Sequence, residues 1–93
     1  MGEGTLFVYA YDLADGRERR RVDALLQGYG FRRQKSVFEC RLSRHQAVQL
    51  KRQLRELDLA TGFVVIYPVS GHARVDTVGT VPHFPDDDWT WIA

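Results

Sequence analysis

The sequence predicts an α+β fold, with two helices laid on one face of a sheet. Two runs, TLFVYAYDL and FVVIYPV, are apolar on both alternating faces and read as central strands. Two other segments repeat apolar residues at helical intervals behind capping residues. At 93 residues the chain is long enough for one compact core and too short for a second.

Each element can be read in turn. In residues 5–13, Leu6, Val8 and Ala10 alternate with Phe7, Tyr9 and Tyr11, which predicts a strand covered on both sides. Asp15 and, three residues later, Glu18 have the spacing of a capping box; Val22, Leu25, Leu26 and Tyr29 then recur with helical period, giving a helix over about 16–27. Gly28 and Gly30 break it. Residues 31–42 (FRRQKSVFECRL) return to strand composition around Val37 and Phe38, as one strand or as two. Ser43 and Gln46 repeat the capping spacing, and Ala47, Leu50, Leu54 and Leu57 mark one face of a helix ending near Asp58. Gly62 releases a strand over 63–69, and a weaker alternation over 73–81 predicts a last one.

With the middle run folded as a hairpin, this order is a ferredoxin-like βαββαβ sandwich with an extra C-terminal strand, over residues 1–81. The helices would lie on one sheet face only. The first and fourth strands nevertheless place apolar residues on both, so a second copy of the chain is the simplest cover and a homodimer is expected. A domain this short also gains stability from pairing.

Charge is nearly balanced, at +1, but it is segregated. Cations crowd residues 17–55, while Asp86, Asp87 and Asp88 sit together near the end. A basic body attracts a polyanion by counterion release, although a solvated face has the same composition. The one cysteine, Cys40, excludes a disulfide framework or a cysteine zinc site and reads as a small buried hydrophobe. His45, His72 and His83 are too far apart in sequence to argue for zinc, and His45, Gln46 and Gln49 form no metal constellation. No basic apolar signal segment opens the sequence and no apolar run approaches membrane-spanning length, so a cytoplasmic protein with no membrane partner is expected. The tail over 82–93 combines three acids with Phe84, Trp89, Trp91 and Ile92, a composition that suits docking, either across the chain's own dimer or onto another protein.

Several short motifs, in order, carry a resemblance: Tyr11-Asp12-Leu13, the arginine-rich helix start, Gly28-Tyr29-Gly30, Gln34-Lys35-Ser36-Val37-Phe38-Glu39-Cys40, and Ile66-Tyr67-Pro68-Val69 with Gly71. Together they resemble the CRISPR-associated Cas-two family over roughly residues 6–79. The resemblance implies a ferredoxin-like homodimer acting as a magnesium-dependent endonuclease on RNA or DNA in antiviral defence. It also implies a role in spacer acquisition with the Cas-one integrase as partner, where the alternative is a non-enzymatic dimeric scaffold that binds DNA and integrase.

On that resemblance Asp12 is the catalytic and metal-binding residue. A carboxylate at the mouth of a strand is a hard oxygen ligand suited to Mg²⁺, and near a two-fold axis it would meet its own copy. Asp12 is equally of the type that caps a turn. The resemblance assigns Arg19, Arg21, Arg32 and Phe38 to the nucleic-acid site, by phosphate contact or by shaping the groove. Cations in a first helical turn face the positive end of the helix dipole, an arrangement that a nearby anion would relieve; Glu18 and Asp23 could also offset them. Ser36 orients a water or phosphate on the family motif, or simply turns a hairpin.

Overall fold

The structure is a computed structural model that describes residues 4–69 and 76–80. Its elements run β1 (Thr5–Leu13), α1 (Gly16–Gln27), β2 (Phe31–Gln34), β3 (Val37–Leu42), α2 (Arg44–Glu56) and β4 (Gly62–Val69). The middle run is therefore a hairpin, turned at Lys35 and Ser36, and the βαββαβ unit is complete. The strands lie in the order β2, β3, β1, β4, with every neighbouring pair antiparallel. Of the predicted last strand, 73–81, residues 76–80 are described and form no strand, and the rest lies outside the described residues. The tail over 82–93 lies outside them as well.

Strand alternation decides which side chains meet the helices. Tyr9, Tyr11 and Leu13 of β1 enter a buried cluster with Val22 and Leu26 of α1, Phe38, Cys40 and Leu42 of β3, and Leu50 and Leu54 of α2. Val64 and Ile66 of β4 pack against it. The opposite parity, Val8 and Ala10 beside Tyr67 and Val65, belongs to the other sheet face, which no described helix covers. Phe63 and Tyr67 on that face are 58% and 54% exposed.

The helix ends follow local chemistry, with one departure. Ser43 and Gln46 form the reciprocal capping box: the Gln46 amide donates to Ser43 Oγ at 3.1 Å and the Ser43 amide to Gln46 Oε1 at 2.9 Å. At α1, Asp15 caps alone, accepting from the Arg17 amide at 3.0 Å, and Glu18 turns elsewhere. Helix α2 stops at Glu56, short of the expected Asp58, because Asp58 takes the left-handed conformation, φ 55°, that ends a helix and that aspartate tolerates. Cys40 is fully buried; burial, and then the charge of Glu39, push its thiol up to about 12, so it packs as a neutral side chain.

Ser43→Ala should remove one side of the α2 cap and lower stability by about 1 kcal/mol. Urea unfolding reads this as a lower midpoint at unchanged slope. An unmoved midpoint would mean that water satisfies the Gln46 amide equally well.

Candidate active site at the end of the first strand

Asp12 is exposed between two buried neighbours, Tyr11 and Leu13, so alternation alone turns its carboxylate outward. Its backbone is pressed closely by the next strand. Asp12 pairs with Phe63, Leu13 pairs with Gly62, and a Cβ at Gly62 would overlap the Asp12 carbonyl oxygen. Only glycine lets β4 close onto β1 at this depth.

Past Leu13 the chain is held by a set of polar contacts. The Ala14 amide donates to the Thr61 carbonyl at 3.3 Å, and the Asp15 amide to Thr61 Oγ1 at 3.1 Å. Glu18 is buried from the first turn of α1 and accepts from the Ala60 amide at 2.8 Å, the Thr61 amide at 3.0 Å and the Thr61 hydroxyl at 2.5 Å. The bonds from the Thr61 hydroxyl and the Ala60 and Thr61 amides, with the nearby charge of Arg21, hold the Glu18 carboxyl below its usual range against the opposing effect of burial. Arg19 reaches back from the helix, its Nη1 donating to the Leu13 carbonyl at 2.7 Å and the Ala14 carbonyl at 2.9 Å. Its charge is thereby met by two backbone oxygens just ahead of the helix.

A second set joins the β2–β3 turn to β1. The Tyr11 amide donates to the Ser36 carbonyl at 3.0 Å, which makes Ser36 the backbone neighbour of the residue preceding Asp12. The Tyr11 phenol donates to Asp23 Oδ1, while Arg32 Nη2 donates to Asp23 Oδ2 at 3.2 Å. Arg32 Nη1 donates to the Lys35 carbonyl at 2.7 Å, and its guanidinium carbon lies 5.2 Å from the centre of the Phe38 ring. Burial, and then the bond to Asp23, push the phenol above its ordinary value, so Tyr11 remains a neutral donor.

The residues predicted for the site thus occupy three levels. Asp12 and Arg21 are exposed, Arg19 is exposed with its guanidinium bonded to the strand end, and Ser36 is half-buried in the turn. Arg32 and Phe38 lie beneath, Phe38 within the core. Among the described residues no three His, Cys, Asp or Glu side chains gather as a metal group, and His45 stands exposed on α2. Tyr11, Thr61 and Gly62 escaped the sequence reading as site residues, and Glu18 and Asp23 entered it only as charge offsets. Gly62 left a signal as the break before a strand; Thr61 left none.

Comparison with known proteins bears on the same residues. A family model described as CRISPR associated protein Cas2 matches residues 5–77. The chain belongs to the Cas2 family. A Synechocystis protein named CRISPR-associated endoribonuclease Cas2 3 is 42% identical over 80 residues, 83% of this chain and 87% of that protein. A Thermus thermophilus protein named CRISPR-associated endonuclease Cas2 2 is 42% identical over 78 residues, with the same shares covered. The crystal structure of a hypothetical protein from Thermus thermophilus matches with a TM-score of 0.75 at 39% identity, over 86% of this chain and 98% of that one. Streptococcus pyogenes Cas2 matches with a TM-score of 0.67 at 31% identity, over 80% and 99%. The family resemblance read from the motifs around Asp12 and in the β2–β3 hairpin is borne out, and the Cas2 match spans every candidate site residue.

Because the folded value of Glu18 is lowered, its contribution to stability is present above the ordinary glutamate range and disappears as acid protonates it. Glu18→Gln should therefore lower the melting temperature at neutral pH, and the gap from wild type should close as pH falls through the carboxylate range. Thermal melts across that range test it; a gap independent of pH would show that the carboxylate charge is immaterial to the clamp.

Proposed function

We propose that two copies of this chain form a magnesium-dependent endonuclease that hydrolyses phosphodiester bonds of RNA or DNA in CRISPR defence. The observation that carries this reading is Asp12, a carboxylate turned outward at a strand end that pairs with β4 on one side and is held on the other by the bond from the preceding Tyr11 amide to the Ser36 carbonyl. Relatives named endoribonuclease and endonuclease at 42% identity support the same activity.

The donor chemistry fits Mg²⁺, a hard cation usually held by one or two protein carboxylates and otherwise by water and phosphate. Among the described residues Asp12 is the carboxylate turned outward at the end of β1, and a second copy would bring its own. When bound, such an ion stabilises charge that develops on a phosphate. The chain's own part is to attract and orient the strand. Arg21 and its exposed neighbours Arg17 and Arg20 draw the backbone by charge, and Arg19 keeps the end of β1 in place. Ser36 offers a hydroxyl near the Asp12 end of the strand, suited to hold a water or a phosphate oxygen.

The sheet face that carries exposed Phe63 and Tyr67 with half-buried Val65 between them supports the dimer, since exposed apolar surface of this kind suits an interface. We extend the reading to spacer acquisition beside the Cas-one integrase in the cytoplasm, on the strength of family membership. No described helix is long and apolar enough to cross a membrane.

Asp12→Asn keeps shape and removes one charge per protomer. It should cut the cleavage rate by about two orders of magnitude or more and leave folding and nucleic-acid binding intact. The assay compares both proteins on RNA, single-stranded DNA and duplex DNA with Mg²⁺ or with EDTA. Equal rates would sink the catalytic assignment and leave a non-enzymatic dimeric scaffold as the reading. Separately, sedimentation should give about twice the chain mass of 10.7 kDa at micromolar concentration, and a clean monomer would remove the shared site.

A further inference from the structure

We propose that Asp23, acting through Tyr11 and Arg32, is a positioning residue that sets the turn of Lys35 and Ser36 beside Asp12, and that Arg32 serves from inside the fold without gripping phosphate. The inference rests on the endonuclease reading for its catalytic consequence, and on the hydrogen bonds alone for its structural one.

Asp23 spends its two oxygens on two different strands. Oδ1 accepts from the Tyr11 phenol of β1 and Oδ2 from Arg32 of β2, so one carboxylate on α1 ties both together. Arg32 passes the restraint on, because its other terminal nitrogen donates to the Lys35 carbonyl at 2.7 Å, and the Tyr11 phenol oxygen lies 3.3 Å from that same carbonyl. From the far side the Tyr11 amide holds the Ser36 carbonyl. The turn is therefore gripped at consecutive peptide groups by residues adjoining Asp12 in the strand or bonded to its neighbour.

Arg32 is poorly placed to meet an external phosphate. Its side chain is 10% exposed, both terminal nitrogens are engaged, and its guanidinium lies over the Phe38 ring. Binding phosphate would require giving up a charge-assisted bond to Asp23 and leaving that carboxylate, itself 22% exposed, unpaired. The network also stands beside the apolar cluster: Tyr11 and Phe38 contribute their rings to the core, but Asp23, Arg32 and the turn are outside it. Loosening the network should thus move the turn while the core persists. A reacting geometry displaced by about 1 Å loses roughly a hundredfold in rate, whereas affinity from exposed arginines is unaffected.

The test uses the full chain and the variants Tyr11→Phe, Asp23→Asn and Arg32→Gln. It measures kcat and KM for the cleaved substrate, duplex DNA affinity against salt, and backbone amide exchange across residues 35–38. We expect kcat to fall by about ten- to a hundredfold with KM nearly unchanged, and the amides at Ser36 and Val37 to exchange faster. The salt slope should match wild type, while Arg21→Gln, an exposed control, flattens it by about one unit. Asp23→Asn combined with Arg32→Gln should be no worse than Arg32→Gln alone, as for residues acting in one network. A slope flattened by about one unit in Arg32→Gln, with turn amides unchanged, overturns the proposal in favour of direct phosphate contact. Unchanged kcat in all three variants, or full additivity of the pair, overturns it too. Should wild type cleave none of the nucleic acids, the endonuclease reading fails, and amide exchange with the salt slope decides the placement of the turn by itself. Where Arg32→Gln does not fold, Tyr11→Phe, which keeps the buried ring, carries the test.

Discussion

The register of β1 is the constraint on which the rest depends. It is the central strand, paired from Thr5 to Ala10 with β3 and from Leu6 to Leu13 with β4. A slip of one residue would reverse every side chain, exposing Tyr9, Tyr11 and Leu13 and driving Asp12 toward the apolar cluster. Burying each large apolar side chain is worth about 1.5–3 kcal/mol, while an unpaired buried carboxylate costs several. Both effects favour the same register. The energy that folds the domain is therefore what presents the carboxylate at the surface, and no separate device is needed to aim it.

A fixed strand does not by itself fix the loops at its end, and here polar contacts take over from packing. Glu18 anchors the loop before β4 to the start of α1, and Arg19 returns from the same helical turn to the carbonyls that end β1. Opposite charges one residue apart on α1 thus bind backbone on opposite flanks of the turn. The pairing is electrostatically sensible: the acid sits at the positive end of the helix dipole, and the charge of the base beside it is compensated by two carbonyl oxygens. Gly62 completes the arrangement by having no side chain where the strands come closest.

How far the sequence could be read depended on the range of the interaction concerned. Element positions and the place of Asp12 at a strand end were legible, since periodicity and capping act over a few residues; Ser43 and Gln46 are the clearest case. The middle run was ambiguous between one strand and two because Lys35 and Ser36 carry no glycine or proline signal. Glu18 has the correct spacing for a capping box yet bonds to Ala60 and Thr61, more than 40 residues on, and no local pattern reveals such a partner. Arg32 and Arg21 are the same residue in the same basic region, and only the assembled fold makes one buried and the other exposed.

That separation changes what the basic region means. As a sequence feature it is one cluster of cations awaiting an anion, but in the fold its members answer to different anions. Arg32 is met by Asp23, Arg33 by Glu39 at 2.9 Å on the sheet, and Arg19 by backbone carbonyls. The charges turned outward around the start of α1 are Arg17, Arg20 and Arg21, spaced over little more than one turn of helix. So compact a set would touch few phosphates of an extended nucleic-acid backbone. If the chain grips a long duplex as proposed, that grip would come from repetition of the set by a second copy, which would also supply the second carboxylate beside Asp12. On the proposed endonuclease reading, charge and metal chemistry, argued from different residues, would both be served by the same dimer.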